Sequence, residues 1–440
     1  MTVLYLLIEE SFREMTSRQF IAADCLSKNL QVVIAQQWWF AENLAELPRG
    51  LVLFKGNNHT QASMMRAAKD YGHLITSIEE EAFGVTYDIE LATMFSPEAM
   101  ETADTVFVQG KKHRDFLVER FPNVRDRIVV TGNPRSDVIA SGAGPDSTEK
   151  AAKLRGELGD FVLVNTNCGA INPFDIDTYS HFSRCVNVGV LDPDDPNDLE
   201  RFESLLAFEH SNLREINRFL RGFAEGHPDT LVIVRPHPSE RIERWIDACE
   251  GLVSVRVESD KDHIAWMLAA RVMVHTGCTT GLEGALLGTP VVGICPDDHV
   301  WHDGFISNVV SHVFKTGEKA CRAVADHLAS DLPNLSNLSV EAFNRLQSSL
   351  YVHRTQRASW RMAAVLEELA TRIVGSAPLG TLSDLGRSRG RLEGRRHEKS
   401  FVTIRDFVAS WESVKSHLES PLKVSVEELA PSVFWMKIQE

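Results

Sequence analysis

The sequence predicts an α/β protein with two doubly wound parallel sheets, one in each half of the chain. Short runs of apolar, β-branched residues recur along it, as expected for strands that are buried on both faces. Stretches with helical spacing separate these runs, which is the order of a parallel sheet with crossover helices. The chain has 440 residues, of which 43% are hydrophobic, so it is long enough to bury two separate cores.

The first half reads as one domain over residues 1–145. Strands are predicted at Val3–Ile8, Val32–Ala35, Gly50–Lys55, Leu74–Ile78, Ala103–Gln109 and Arg127–Thr131, and helices at Ser17–Ser27, Gln61–Tyr71 and Lys111–Arg120. The small and polar run Ser141–Thr148 is typical of a linker between domains. We therefore expect the first domain to end there.

The second half reads as a domain over residues 146–354, followed by an extension. Strands are predicted at Phe161–Asn165, Leu231–Val234, Val272–Val274 and Val291–Ile294, and helices at about Leu199–Glu225, Leu282–Leu287, Lys319–Ala329 and Val340–Leu350. The pattern of apolar residues over 355–374 predicts a long amphipathic helix. Residues 375–440 predict a basic, Gly-punctuated linker at Arg387–Lys399 and then an amphipathic C-terminal appendage.

Composition and charge exclude several classes of protein. The net charge of −15 argues against a general nucleic-acid-binding surface. The seven cysteines are scattered singly, which favours a reducing compartment and disfavours a zinc site or a disulfide framework. The short apolar run at the start has no basic residue before it and predicts a strand, not a signal peptide. No apolar run is long enough to span a membrane, so we expect a cytoplasmic protein.

The stretch Thr230–Val292 carries the strongest functional pattern. Polar residues follow each of two predicted strands, at the edge where open α/β sheets bind ligands. The second polar loop contains a glycine and opens a helix, which turns backbone N–H groups and the positive end of the helix dipole toward a phosphate. The residues concerned are Arg235, His237, Pro238 and Ser239 in the first loop and His275, Thr276, Gly277, Thr279 and Thr280 in the second.

Four further groups of polar residues follow predicted strands. Each one is about equally well explained as a solvated loop, a turn or a helix cap. One of these groups, the three adjacent carboxylates Glu79–Glu81, has a further chemical property. Burial of one of them against a neighbour would raise its pKa and suit it to acid or base catalysis. The other groups are the run from Glu9 to Glu14, the turn Thr131–Asp137, and the loop with Asn165, Asn167 and Asp175.

These motifs together resemble the GT-B glycosyltransferases, and within them the bacterial surface-carbohydrate proteins similar to the CMP-Kdo-dependent β-Kdo transferases. The pair His237-Pro238 and the hydroxyl pair Thr279-Thr280 match the elements that grip cytidine monophosphate. The turn Gly132-Asn133-Pro134-Arg135 is the most specific piece. Glu79 and Ala82 depart from the pattern, in which Asp and Gly are expected, and the resemblance covers roughly residues 1–300.

The resemblance implies a fold, a reaction and a set of residue roles. The fold is GT-B, with two Rossmann-like domains facing a cleft and residues 355–374 crossing back to the first domain. The reaction is transfer of Kdo or a related ulosonic acid from a CMP-sugar to a surface glycan or lipid-linked acceptor, without a metal ion. The implied roles are catalysis by Glu80, Glu81 or Asp175, ribose binding by Glu283, phosphate binding by His237 and the threonine turn, and sugar or acceptor contacts by Glu9, Arg13, Asn133, Arg135 or Arg235.

Two rival functions remain open at this point. A GT-B-like transferase or epimerase that uses a UDP-sugar or a CDP-alcohol would share the second-domain motifs, and a silent scaffold of polysaccharide assembly would need none of the carboxylates. The spacing Asp192-Pro193-Asp194 is that of metal-dependent transferases, but its loop is acidic and Pro-rich throughout, so we do not predict a metal there. The segment Trp301-His302-Asp303 is expected to be structural or exposed. The basic segment Arg387–Lys399 is equally compatible with contact to anionic lipid or a lipid-linked acceptor at the inner membrane and with a solvated linker to the C-terminal appendage.

Overall fold

The computed structural model describes residues 2–84, 94–141, 147–174, 181–187, 191–260, 262–296, 300–330, 335, 339–353, 355–373 and 401–439, and within these only the backbone of Phe12, Arg13, Val300 and Asp303. The chain divides into two compact units. The first unit contains Met1–Phe83, Asp88–Pro145 and Gln347–Glu440, and the second contains Gly84–Tyr87 and Asp146–Leu346. The second unit therefore ends at Leu346, whereas the sequence placed the end of the second domain at residue 354.

The elements follow one another in the order of an α/β protein. The strands are β1 Val3–Ile8, β2 Gln31–Gln36, β3 Leu51–Phe54, β4 Leu74–Ile78, β5 Thr105–Val108, β6 Ile128–Val130, β7 Phe161–Asn165, β8 Leu231–Arg235, β9 Val255–Val257, β10 Val272–His275, β11 Val291–Ile294, β12 His312–Phe314, β13 Val424–Ala430 and β14 Val433–Ile438. The α-helices are α1 Ser11–Leu26, α2 Gln37–Asn43, α3 His59–Asp70, α4 Pro97–Thr102, α5 Lys111–Arg120, α6 Pro134–Ala140, α7 Ser147–Leu158, α8 His181–Asn187, α9 Pro196–Gly226, α10 Ile242–Ala248, α11 His263–Ala269, α12 Thr279–Leu287, α13 Val300–Asp303, α14 Ile306–Val310, α15 Gly317–Ala329, α16 Val340–Ser349, α17 Ala358–Ala370 and α18 Ile404–His417, and Pro122–Arg127 form a 3-10 helix.

The sheet of the first unit has eight strands in the order β13-β14-β2-β1-β3-β4-β5-β6. Strands β1 to β6 are parallel, whereas β14 pairs antiparallel with both β13 and β2. Along β1, Val3, Tyr5 and Leu7 belong to one core cluster and the residues between them to another. The sheet is therefore buried on both faces, as its unbroken apolar strands predicted.

The sheet of the second unit has six strands, all parallel, in the order β12-β11-β10-β7-β8-β9. Alternate residues of β7 again enter different cores, since Val162 and Val164 lie in one cluster and Phe161 and Leu163 in another. The order reverses between β10 and β8, which flank β7. Such a reversal opens a crevice at the carboxyl ends of the strands, where open α/β sheets bind ligands.

The C-terminal extension is only partly helical. The predicted helix over 355–374 is present as α17, and its apolar face, including Met362 and Leu366, enters the same core cluster as α1. Residues 401–439 form α18 and the hairpin β13–β14, which pairs with β2 and contributes Phe434 to that core. This segment is part of the first sheet and not an appendage to it. Arg387–Lys399 lies outside the described residues.

No helix in the described part of the chain combines the length and the apolar character that a bilayer crossing requires.

Candidate functional site

Three loops meet at the carboxyl edge of the second sheet. Strands β10, β7 and β8 are neighbours and parallel, so the loops that follow Asn165, Arg235 and His275 leave the sheet at the same edge. Asn167 Nδ2 donates to the Gly277 carbonyl at 3.1 Å, which joins the loop after β7 to the turn after β10. The Phe174 N–H donates to the Ser239 carbonyl at 2.8 Å, which joins it to the loop after β8. The structure thus brings the predicted donor-binding loops together.

His275 shapes the turn after β10 from below. Its ring is fully buried, and Nδ1 accepts from the backbone N–H groups of Gly277 at 3.0 Å and Cys278 at 3.4 Å. Nε2 then carries the proton and donates to Ser311 Oγ at 2.8 Å. Burial lowers the pKa of His275 to about 3. His275 was predicted to touch the ligand, but its structural position is that of a neutral support beneath the turn.

The turn itself leads into the first residues of α12. Gly277 has a φ of +80°, a conformation that L side chains rarely adopt, and Thr276 is 1% exposed. Thr279 and Thr280 open the helix with half-buried side chains, and the Thr280 hydroxyl donates to Cys278 Sγ at 3.1 Å. The first N–H groups of a helix have no acceptor within it. This turn therefore presents two hydroxyl side chains and the positive end of α12.

The loop after β8 carries the most accessible of the predicted donor-binding residues. His237 and Pro238 are exposed, and Ser239 is half-buried. His237 Nδ1 accepts from the Ser239 N–H at 3.2 Å and lies 2.7 Å from Ser239 Oγ. The neutral ring therefore holds its proton on Nε2. Arg235 is turned to the side of the loop, where its guanidinium donates to the Asp260 carbonyl.

Two buried carboxyl groups beneath these loops had no place in the sequence prediction. Glu240 accepts from the Thr166 hydroxyl, the His237 N–H and the Trp245 indole, at 2.6, 3.0 and 2.8 Å. Glu209, on the long helix α9, accepts from two backbone N–H groups of the loop after β7, at 2.9 and 3.0 Å. Burial raises the pKa of Glu209 to about 8. In a sequence, an acidic residue within a helix is normally taken to be solvent-exposed. The only signal that Glu209 is buried is its position in the apolar stripe of α9.

Two other predicted donor-binding residues are buried. Glu283, predicted to accept from ribose hydroxyls, has no exposed surface, and its carboxylate lies 2.9 Å from His263 Nε2. Asn165 is 3% exposed, and its Nδ2 lies 3.9 Å from the Met273 sulfur. In the structure both side chains support the edge of the sheet from inside.

Charged residues also cluster at the carboxyl edge of the first sheet. Lys55 Nζ lies 2.6 Å from a Glu9 oxygen and 3.4 Å from a Glu14 oxygen. Burial alone would lower the pKa of Lys55, but the Glu14 and Glu9 carboxylates more than offset it and raise the pKa. The other Glu14 oxygen accepts from the Glu9 and Glu10 N–H groups. Glu9 is thus held against a buried lysine that the sequence did not single out.

The three carboxylates Glu79, Glu80 and Glu81 lie in different environments. Burial raises the pKa of Glu79 to about 8, against the lowering effect of the Asn57 and Glu81 N–H groups from which it accepts. Glu80 is 6% exposed and pairs at 2.6 Å with Arg18, whose side chain is fully buried. Glu81 is exposed. The raised pKa that was expected in this triplet belongs to Glu79, which was not among the predicted catalytic residues.

The turn Thr131–Asp137 contacts the start of helix α17. Asn133 is 1% exposed and caps α6 by accepting from the Arg135 N–H at 2.9 Å, and the Arg135 guanidinium lies 4.9 Å from the centre of the Phe83 ring. The Asp137 carboxylate accepts from the N–H groups of Ala358 and Ser359, at 3.1 and 3.0 Å. In the structure Asp137 caps a helix that lies more than two hundred residues further along the chain.

Some predicted residues fall outside the described part. Asp175 and the side chain of Arg13 are among them. Within the described residues no group of three His, Cys, Asp or Glu side chains is arranged to hold a metal ion. Asp192, in the acidic loop before α9, accepts from the Asp194 N–H at 2.9 Å. His302 is 6% exposed and packs against Phe208 at 4.7 Å between ring centres.

Comparison with known proteins shows the fold. No family model matches the sequence, and no curated protein matches it. The solved UDP-GlcNAc 2-epimerase of Methanocaldococcus jannaschii is 13% identical, with a TM-score of 0.52 over 84% of this chain and 100% of the epimerase. A putative UDP-N-acetylglucosamine 2-epimerase of Listeria monocytogenes is 13% identical, with a TM-score of 0.54 over 84% of this chain and 97% of that one. The chain has the GT-B fold of two Rossmann-like domains.

Proposed function

We propose that the protein is an enzyme that acts on a nucleotide-activated sugar and binds the nucleotide at the carboxyl edge of its second sheet. The observation that carries this proposal is the interlocking of the three loops after β7, β8 and β10. The hydrogen bonds between these loops fix them, while His237, Ser239, Thr279 and Thr280 remain exposed or half-buried. A preformed edge of this kind is what a phosphate ligand requires.

The chemistry of these groups suits a phosphate. In the proposed complex the His237 Nε2–H, the Thr279 hydroxyl and the first N–H groups of α12 donate to phosphate oxygens. Such donors can hold a phosphate through hydrogen bonds and the helix dipole without a divalent ion. We therefore expect nucleotide binding to persist in the presence of EDTA.

A UDP-sugar is the first choice of substrate. The two solved proteins of similar fold carry names that specify UDP-GlcNAc, and a uridine nucleotide was one of the alternatives left open by the motifs. A CMP-linked acidic sugar is the second choice, supported by the pairs His237-Pro238 and Thr279-Thr280. Incubation with UDP-GlcNAc alone separates two reaction classes, because an epimerase needs no acceptor whereas a transferase does.

Of the two predicted catalytic carboxylates that the structure describes, Glu81 is the more accessible. Its side chain is exposed, whereas Glu80 is buried against Arg18. We propose that Glu81 takes up or delivers a proton during the reaction. Asp175 stays a prediction from the sequence.

The test is calorimetric titration with UDP, CMP, CDP and GDP on three proteins: wild type, His237→Ala and His210→Ala. His210 is an exposed histidine on α9 in the same unit and serves as the matched control. We expect UDP to bind the wild type and His210→Ala equally. Loss of one hydrogen bond to a charged group removes about 1.5–3 kcal/mol, so His237→Ala should raise the Kd for UDP roughly tenfold or more. Binding of CMP alone would replace the uridine substrate by the CMP-linked one, and no binding by wild type would refute the proposal.

A further inference from the structure

Glu240 connects three elements at the proposed nucleotide site. Its side chain is 4% exposed. One carboxylate oxygen accepts from both the Thr166 hydroxyl and the His237 N–H, and the other accepts from the indole N–H of Trp245 on α10. The Glu240 N–H donates in turn to the His237 carbonyl at 2.8 Å. Glu240 therefore holds both backbone polar groups of His237 and ties them to the loop after β7.

The arrangement of donors requires a carboxylate. Three donors converge on two oxygens, and the indole N–H of Trp245 can only donate. Glutamine would retain one acceptor oxygen for Thr166 and His237 but would turn its NH2 group toward the indole. Two buried donors would then face each other without an acceptor, which is costly. Phenylalanine at position 245 would remove that conflict.

His237 is held from both sides of its residue. Its ring nitrogen Nδ1 accepts from the Ser239 N–H, and its backbone is fixed by Glu240. These two contacts set the orientation of the imidazole and leave its Nε2 edge exposed. Movement of the Glu240 carboxylate would move the imidazole with it.

We propose that Glu240 is a positioning residue for nucleotide binding, which acts by holding His237 in the orientation that meets the phosphate. The inference rests on the proposed function and names a residue that does not itself contact the ligand. The carboxylate also sets the loop after β7 in register with His237, because Thr166 and His237 share one of its oxygens.

The experiment is a double-mutant cycle read by calorimetry with UDP. The proteins are wild type, Glu240→Gln, His237→Ala and the double variant, together with Trp245→Phe and Glu240→Gln/Trp245→Phe. Thermal unfolding of each variant verifies that it is folded. Thr166→Val, which removes one donor and keeps the carboxylate, replaces Glu240→Gln in the same cycle if the latter does not fold.

Three results are expected. Glu240→Gln raises the Kd for UDP about tenfold, the loss of roughly one hydrogen bond. In the His237→Ala background the same change alters the Kd less than about twofold, because its effect passes through the imidazole. Adding Trp245→Phe to Glu240→Gln brings the Kd back to within about threefold of the Trp245→Phe protein, because the opposed donor is gone.

The outcomes separate this inference from the proposed function. An equal loss of affinity with and without His237 would mean that Glu240 acts on the whole site and not through the histidine, which overturns the inference alone. An unchanged Kd in Glu240→Gln overturns it as well. If wild type binds UDP but His237→Ala binds it just as well, the phosphate role of His237 fails and the inference fails with it. If wild type binds none of the nucleotides, the proposed function itself is wrong.

Discussion

Replacing Glu79 with glutamine should remove a loss of stability that wild type undergoes as the pH rises. Glu79 follows β4, is 7% exposed, and has a pKa raised by burial from 4.5 to about 8. In the unfolded chain the same carboxyl ionises near 4.5. Between these two values the folded protein keeps a proton that the unfolded chain has lost, so the free energy of unfolding falls as the pH rises through this window.

The difference between the two pKa values sets the size of the effect. The interval from 4.5 to about 8 is about 3.5 pKa units, and each unit corresponds to about 1.36 kcal/mol. The ceiling is therefore roughly 5 kcal/mol between the two ends of the window. Above pH 8 the loss is complete and stability no longer depends on this group. Glutamine does not ionise, so the advantage of Glu79→Gln over wild type should grow with pH and then level off.

The assay is urea unfolding of wild type, Glu79→Gln and Glu81→Gln at pH values from 5 to 9. Glu81 belongs to the same triplet but is exposed, which makes Glu81→Gln the matched control. We expect the midpoint of Glu79→Gln to rise relative to wild type across this range, while Glu81→Gln runs parallel to wild type. Parallel curves for Glu79→Gln and wild type would refute the reasoning, because they would mean that Glu79 ionises at the same pH in the folded and unfolded protein.

Two more predictions concern the turn that contacts the start of α17. Asp137→Ala leaves two N–H groups at the start of α17 without their carboxylate and should destabilise the first unit by about 1–3 kcal/mol; hydrogen exchange within Ala358–Ala370 should accelerate, and unchanged protection would contradict the capping role. Gly132→Ala places a side chain at a φ of +83° against a backbone carbonyl and should lower the thermal midpoint. The control is Gly156→Ala, at a position in open space on α7, which should raise the midpoint by the equivalent of about 0.5–1 kcal/mol. Equal shifts for the two glycines would contradict the difference in backbone strain between them.

Four of the six strands of the second sheet could be predicted from the sequence because their signal is local, whereas the three-residue strands β9 and β12 were missed. Leu231–Val234, Val272–Val274 and Val291–Ile294 are unbroken runs of mostly β-branched residues, and each lies within an observed strand. The meeting of the polar loops follows from parallel topology, which places all carboxyl ends at one edge. The glycine turn and the helix start at this edge are also local features, so the order of residues along the chain was enough to indicate them.

The partners of buried charges could not be predicted, because they depend on contacts between distant residues. In the sequence Arg18 looks like an ordinary helical arginine. The residues around it do not indicate its ion pair with Glu80, which lies sixty-two positions away. His275 looked like a ligand-binding residue, since a polar residue after a strand gives no sign of whether its ring points outward or down. Whether the ring is exposed to a ligand or buried beneath the turn depends on the tertiary fold, which the local sequence does not show.

The hairpin β13–β14 was missed for a related reason. Its strand β13 lies at the edge of the sheet and only its last two residues are buried, and its sequence lacks the continuous apolar run of a central strand. The hairpin's partner β2 is separated from it by most of the chain, with Phe434 opposite Ile34. A local pattern cannot specify a pairing at that distance.

Because a distant part of the chain completes the first sheet, the two units can finish folding only in a certain order during synthesis. Domains fold as units while the polypeptide leaves the ribosome, and the second unit, whose main segment runs from Asp146 to Leu346, is complete in the nascent chain well before Phe434 is translated. Strands β1 and β2 emerge earlier still, yet the edge of β2 waits unpaired until β14 arrives. The unit whose synthesis starts first is thus the one that is finished last.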